Sequence, residues 1–274
     1  MKKLYCIILF LTLTLWAHSQ IPTNNYILTR TMCDSLGVAT IDQIQYYDGL
    51  GRPYLAVLKG AAGGNRHLAS LQEYDTQGRN KCIWLPVCIE QEYNNSYDLK
   101  KKLLETYQDS LAYTSYDYHT LPLDRVTWES GPGKAWVGKG IKNDYFFNIA
   151  SPDSVLSCKK YSVTDGGGRL LYDGYYKANS LSVVCNTDED GYRSYTFKDS
   201  EGRVLLVRSC DGNVFSDTYF VYDSFGRLCY VLPPSYQENE DLDLWAYQYS
   251  YDGLGRCIKK KYPGCDEVSY VYDN

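Results

Sequence analysis

Residues that could carry out catalysis are sparse in this sequence. After residue 19 the chain has two histidines, His67 and His119. Neither lies in an H-E-x-x-H motif, and no serine lies in a G-x-S-x-G motif. Asp188, Asp190 and Gly191 resemble a fragment of a calcium loop, but the closing glutamate of that loop is missing. The sequence therefore predicts no catalytic, cofactor-binding or metal-binding residue, and no enzyme.

The sequence lacks a catalytic signature, but it contains a repeated motif. Six times an aspartate is followed four residues later by arginine, with glycine just before the arginine. The aspartate, glycine and arginine of the six copies are Asp48, Gly51, Arg52; Asp75, Gly78, Arg79; Asp165, Gly168, Arg169; Asp199, Gly202, Arg203; Asp223, Gly226, Arg227; and Asp252, Gly255, Arg256. Units of this length cannot each close a core, so the copies are expected to stack and share one.

The motif has the chemistry of a β-hairpin tip. Aspartate suits the first position of a type I turn, and glycine suits the position that needs a positive φ. Alternating apolar residues flank the motifs, as expected for strands. We predict structural hairpin tips at 48–52, 75–79, 165–169, 199–203, 223–227 and 252–256. Each arginine should begin the return strand, where it can contact its own aspartate or a neighbouring tyrosine ring.

Tyr-Asp-x-x-Gly-Arg repeats on tyrosine-rich strands resemble the YD-repeat family, which includes the bacterial RHS (rearrangement hotspot) toxins and the teneurins. Residues 25–274 share the resemblance, and further matching segments lie at 46–53, 73–75, 122–126, 131–136, 188–191 and 231–234. The chain resembles the N-terminal module and first repeats of the shell region of exported bacterial members. The resemblance implies an all-β fold of repeated hairpins in a spiralling sheet, a partial shell. In toxin members that shell encloses a C-terminal toxin.

Composition agrees with an exported β-protein. Tyrosine accounts for 29 of 274 residues and phenylalanine for 7, which suits sheets with one solvated face. The net charge is −5, and no stretch is strongly basic, which argues against binding to nucleic acid or to anionic membrane surfaces. No apolar run is long enough for a transmembrane span.

The chain divides into four predicted segments. Residues 1–19 have the basic start, apolar middle and small-residue end of a signal peptide, which predicts export to the periplasm, cell surface or medium. Residues 20–90 form an N-terminal module with two repeats, and 91–115 an insertion with one short amphipathic helix near 98–109. Residues 116–274 form a YD-repeat sheet that begins with a degenerate copy ending at Arg125. We expect this sheet to be truncated at its C-terminus, with a last strand at 268–272 that lacks its return strand and so leaves an unpaired edge.

Cysteines and serines raise two further points. Nine cysteines follow residue 19, an odd number without a C-x-x-C pair, so either apolar filling of strands or one or two disulfides explains them. Three Asp-Ser-aliphatic triplets resemble the acceptor motif of a bacterial O-glycosylation system, with Ser35, Ser110 and Ser154 as the acceptors.

Three functions fit these observations. The favoured one is a non-catalytic structural module of an exported YD-repeat shell, with no cofactor; its implied partners are further YD repeats and a C-terminal toxin domain. The alternative is a cell-surface module that binds carbohydrate or protein, with a surface glycan as partner. A carbohydrate-active enzyme is less favoured.

Overall fold

The computed structural model describes residues 25–35, 39–90, 96–121, 123–164, 168–212 and 214–273. The predicted signal peptide, residues 1–19, lies outside them. The chain forms two compact units. The first comprises the described residues up to Tyr116 together with Ser130–Val137, and the second comprises Asp117–Glu129 together with the described residues from Gly138 onward.

Antiparallel strands and one helix build the first unit. They are β1 (Asn25–Met32), β2 (Thr40–Tyr47), β3 (Pro53–Leu58), β4 (His67–Tyr74), β5 (Asn80–Trp84), β6 (Val87–Ile89), α1 (Ser96–Tyr107) and β7 (Tyr113–Tyr118), whose last two residues belong to the second unit. Strands β1 to β4 pair in sequence order, β4 also pairs with β5 and β6, and β5 pairs with β7. Leu99 and Leu103 of α1 are buried in the core of this unit with Leu55, Leu71 and Trp84. The helix predicted near 98–109 is thus confirmed, because its leucines cover the sheet.

The second unit is a longer run of antiparallel hairpins. Its strands are β8 (Val126–Ser130, of which Ser130 belongs to the first unit), β9 (Ile141–Phe147), β10 (Lys159–Val163), β11 (Leu170–Tyr175), β12 (Ser182–Thr187), β13 (Arg193–Lys198), β14 (Val204–Asp211), β15 (Val214–Tyr222), β16 (Leu228–Leu232), β17 (Tyr247–Tyr251), β18 (Cys257–Lys261) and β19 (Val268–Ser269). Strand β9 pairs with β8 and β12, and pairing continues from β12 to β19 in sequence order. The hairpin β10–β11 is separate and packs on the sheet.

Buried and more exposed side chains alternate along these strands, and the buried ones form the core of the second unit. The buried residues Val183, Phe197, Leu206, Tyr219 and Leu232 form one row across five strands, in which each residue opposes the next in register. Tyr161 of β10 contacts the Tyr219 ring edge-on, with the ring centres 5.1 Å apart. The sheet therefore has one face covered by β10–β11, as expected when side chains have a period of two. The predicted all-β fold of repeated hairpins is confirmed.

The structure adds helices that the sequence did not predict. Two short ones follow β16: α2 (Pro234–Asn239) and α3 (Leu242–Trp245). Proline occupies the first turn of α2, where a missing N–H is harmless, and the Asp241 carboxylate accepts hydrogen bonds from the N–H groups of Asp243 and Leu244 at the start of α3. A 3₁₀ turn (Lys134–Trp136) also lies in the glycine-rich loop 131–140. None of the helices in the described residues is long and apolar enough to cross a membrane.

Candidate functional site

Five repeat turns, those whose aspartate the structure describes, are closed by hydrogen bonds between their own aspartate and arginine. In the turn between β15 and β16, Asp223 N–H donates to the Arg227 carbonyl at 2.9 Å, and Gly226 N–H donates to the Asp223 carbonyl at 3.0 Å. One carboxylate oxygen of Asp223 accepts from the N–H groups of Phe225 and Arg227, and the other accepts from Arg227 Nε at 2.7 Å. The aspartate side chain thereby takes part in both the backbone turn and the ion pair.

The same bonds recur at four further turns, whose first and last residues are Asp48–Arg52, Asp75–Arg79, Asp199–Arg203 and Asp252–Arg256. In all five turns the glycine before the arginine has φ between +77° and +85°. That region is costly for residues with a Cβ, which explains the glycine of the motif. Of the predicted tip 165–169, Asp165 lies outside the described residues; β10 and β11 flank the tip.

Four of these arginines also contact the tyrosine of the next repeat. The guanidinium carbon lies 4.5 Å from the ring centre of the tyrosine in Arg52–Tyr74, 5.6 Å in Arg203–Tyr222, 5.0 Å in Arg227–Tyr251 and 4.8 Å in Arg256–Tyr272. In three of these pairs the tyrosine hydroxyl donates to the carbonyl just after the arginine: Tyr74 to Pro53, Tyr251 to Leu228 and Tyr272 to Cys257. We call the contact of arginine with tyrosine ring, together with the hydroxyl bond where it is present, the repeat clamp. It joins the turn of one hairpin to a strand of the next in these four pairs.

Two more turns resemble the repeat turns but lack the full Asp-x-x-Gly-Arg motif. In the degenerate copy, Arg125 lies 4.8 Å from the Tyr145 ring centre, and the Tyr145 hydroxyl donates to the Val126 carbonyl at 2.9 Å. Asp124 stands in place of the glycine, with φ of 48°. The repeat clamp therefore survives here. The sequence motif missed it because Tyr145 follows an aspartate instead of preceding one.

The acidic segment at 188–191 is the second such turn. Gly191 N–H donates to the Asp188 carbonyl at 3.1 Å, Asp188 N–H donates to the Tyr192 carbonyl at 3.0 Å, and Gly191 has φ of 89°. Tyrosine replaces arginine, so a search for Asp-x-x-Gly alone would have found it. The Asp188 carboxylate accepts from two backbone N–H groups of its own turn.

In the five Asp-x-x-Gly-Arg turns described above, the bonds of the turn lower the pKa of its aspartate. At Asp223 burial acts to raise the pKa, but hydrogen bonds from Arg227 and from the Phe225 N–H outweigh it and hold the pKa below its ordinary value. The pKa values of Asp48, Asp75, Asp199 and Asp252 are lowered by bonds of the same kind. These carboxylates are therefore ionised acceptors, unlike a general acid, which needs a raised pKa.

A buried ion pair lies away from the turns. Arg208 donates to both carboxylate oxygens of Asp217 at 2.7 Å, and to the carbonyls of Val155 and Ser157 at 2.7 and 3.2 Å. The Tyr219 hydroxyl donates to the same carboxylate at 3.0 Å. Arg208 thus attaches the segment before β10 to the sheet. The sequence did not reveal this pair, because it depends on the register that places Arg208 opposite Asp217.

The remaining sequence candidates are dispersed. Ser35 and Ser110 are exposed, whereas Ser154 is half-buried and its hydroxyl accepts from the Leu156 N–H at 3.1 Å. His67 and His119 each accept a backbone N–H at Nδ1. The nine cysteines are free thiols, of which Cys82, Cys158, Cys185 and Cys229 are buried in the cores. Across the described part of the chain, no three His, Cys, Asp or Glu side chains come together as a metal site.

Comparison with known proteins supports the fold. The family model of a domain of unknown function, DUF6443, matches residues 24–147. No curated protein sequence matches the chain. The crystal structure of TcdB2-TccC3-Cdc42 aligns with 96% of this chain at 14% identity and a TM-score of 0.54, and that of TcdB2-TccC3 with 94% at 15% identity and a TM-score of 0.54. The Photorhabdus luminescens Tc holotoxin pore aligns with 90% at 14% identity and a TM-score of 0.54.

This chain spans only 13%, 12% and 11% of the lengths of those three matched chains. At such identities the likeness concerns the fold: the hairpin array of this chain occurs as one part of larger toxin-complex components.

Proposed function

We propose that the chain is a non-catalytic wall segment of an exported YD-repeat shell. The observation that carries this proposal is the repeat clamp. Arginine and tyrosine join one hairpin to the next at Arg52–Tyr74, Arg203–Tyr222, Arg227–Tyr251 and Arg256–Tyr272. A contact that repeats in the same form at successive junctions suits a wall of hairpins, because it can continue into further repeats.

The hydrogen bonds and lowered pKa values of the turn aspartates support a non-catalytic role. Each of the five turn aspartates described above accepts a hydrogen bond from its own arginine Nε at 2.7 or 2.8 Å. A glycosidase needs two carboxylates that face a substrate, one of them with a raised pKa. The repeat aspartates instead have lowered pKa values, which disfavours the carbohydrate-active enzyme among the functions considered.

The partners of such a wall would be further YD repeats and a C-terminal toxin enclosed by them. The similar solved structures are of toxin complexes, and this chain matches only a small part of each. Residues 1–19 have the pattern of a signal peptide, which supports a periplasmic, surface or extracellular location.

Purification of the native protein from the producing cells tests the proposal. An epitope inserted in the exposed loop at Gly63–Gly64 would report the chain without touching a repeat clamp. We expect the tag on a hollow particle by electron microscopy, and an enclosed polypeptide that resists protease until the particle is opened. A compact tagged particle without a lumen would overturn the shell proposal.

N-terminal sequencing tests export separately: an exported chain should begin at Gln20, and a cytoplasmic chain that retains Met1 would refute export.

A further inference from the structure

A groove of about 350 Å³ lies on the second unit, beside the turn at 188–192. Its lining includes Asn186, Tyr192, Ser194, Ser209, Asp211 and Ser216. Four of these residues form one row across four strands, because Asn186 opposes Ser194, Ser194 opposes Ser209, and Ser209 opposes Ser216. Side chains in such a row are on the same face of the sheet, one strand spacing or about 4.8 Å apart.

The row has unused hydrogen-bonding capacity. Among the described residues, the hydroxyls of Ser194, Ser209 and Ser216 form no hydrogen bond to the protein, and Asn186 uses its Nδ2 to donate to Asn143 at 3.0 Å while its oxygen stays available. In the repeat turns, by contrast, the aspartate carboxylates and arginine guanidinium groups bind one another. The groove therefore offers donors and acceptors that the fold itself does not need.

The walls of the groove indicate the kind of ligand. Tyr192 is 60% exposed and presents an aromatic ring beside the polar floor. Arg193, Asp188 and Asp211 also line the groove, and none of them has an oppositely charged partner within 4.0 Å in the described residues. One cation and two carboxylates give the lining a single excess negative charge, so it disfavours an anionic ligand and offers a cationic one little.

We propose that this groove binds a neutral oligosaccharide through one or two pyranose units. Sugar hydroxyls both donate and accept, which matches a row of serine hydroxyls and an amide oxygen, and the apolar face of a pyranose ring packs on an aromatic side chain. The volume lies within the usual range of about 300–1,000 Å³ for small-molecule sites. This inference does not depend on the shell proposal, since a wall segment and a surface adhesin could both carry the site.

Saturation-transfer NMR on the full chain tests the proposal, with cellobiose, maltose and N,N′-diacetylchitobiose as probes. We expect at least one of them to bind. The double variant Ser194→Val/Ser209→Val should weaken that binding by about tenfold, because each hydrogen bond contributes about 0.5–1.5 kcal/mol. Valine is a good strand residue, so folding should be retained.

Thr218→Val is the matched control. It removes a hydroxyl from the same face of β15, two residues beyond Ser216 and outside the groove, and should leave the affinity unchanged. Failure of all three disaccharides to bind would overturn the proposal. So would equal binding by the serine double variant, which would place the sugar elsewhere, or tighter binding of galacturonate, which would show an anion site.

Discussion

Arg227 lies with its guanidinium carbon 5.0 Å from the ring centre of Tyr251, one repeat further along the chain. The Tyr251 hydroxyl donates to the carbonyl of Leu228 at 2.8 Å, and the Phe225 ring lies 4.9 Å from the same guanidinium carbon. The arginine is thus held between two rings while it bonds Asp223 at 2.7 Å. One residue connects the turn of its own hairpin to the strand of the next.

A double-mutant cycle should measure that connection. Arg227→Ala and Tyr251→Leu should each destabilise the chain, and the double variant should lose less than the sum, with a coupling energy of about 0.5–1.5 kcal/mol. Urea unfolding of the four proteins gives the coupling. The control cycle pairs Arg227→Ala with Tyr249→Leu, because the Tyr249 ring faces Lys260 at 5.7 Å. Equal coupling in both cycles would contradict the repeat clamp.

The role of the motif glycine can be tested within one hairpin, at the turn formed by residues 252–256. Gly255 has φ of +81° and no atom within 4 Å of the position that a Cβ would take, whereas Gly253 in the same turn has an ordinary φ and is equally uncrowded. Gly255→Val should therefore cost about 1–3 kcal/mol from backbone strain alone. Gly253→Val should cost less than about 0.5 kcal/mol. Urea midpoints that fall equally would show that the positive φ is not the reason for the motif glycine.

Much of this fold could be predicted because its signals are local. Aspartate and glycine determine turn geometry within five residues, so the tips at 48–52 and 223–227 could be read from the sequence. The pair of Arg208 with Asp217 could not, because it arises only when β14 and β15 align. The serine row of the groove could not be predicted either, because its serines come together only through the register of four strands.

The Arg208 pair should matter for stability and for one segment in particular. Arg208→Met removes the donor of the carbonyls of Val155 and Ser157 and leaves the Asp217 carboxylate without its counter-charge, although the Tyr219 hydroxyl still donates to it, at a cost of about 3–5 kcal/mol. Hydrogen exchange should accelerate at the amides of Ile149 and Ser157, whose bonds lie in that segment. The double variant Arg208→Met/Asp217→Leu should recover part of the loss, since it buries no unpaired charge. A double variant less stable than Arg208→Met would oppose this account.

The three serines that resemble glycosylation acceptors differ in solvent exposure. If the exported chain is modified, we expect sugar on Ser35 and Ser110, which are exposed, and none on Ser154, which is half-buried with an engaged hydroxyl. Peptide mass spectrometry of the exported protein would show the added mass. Ser110→Ala should abolish it on that peptide alone. Modification of Ser154 in the folded chain would show that exposure does not govern the choice.

The turn aspartates predict loss of stability in acid. Burial acts to raise the pKa of Asp223, but hydrogen bonds from Arg227 outweigh it and hold that pKa below the ordinary value of 3.8. The pKa values of Asp48, Asp75, Asp199 and Asp252 are lowered as well. Near and below pH 4 the unfolded chain therefore binds more protons than the folded one. The stabilisation is complete above that range and is lost as the pH falls through the lowered folded values.

Thermal melts between pH 6 and pH 2 check this prediction. The melting temperature of the wild type should be nearly constant down to about pH 4 and then fall with increasing slope as several aspartates take up protons. Asp223→Asn should melt at a lower temperature at pH 6, since the amide loses the ion pair with Arg227, and its melting temperature should fall less steeply in acid. Parallel curves for the two proteins would mean that the Asp223 carboxylate does not contribute to the acid response, and that its bonds in the turn do not favour the ionised form.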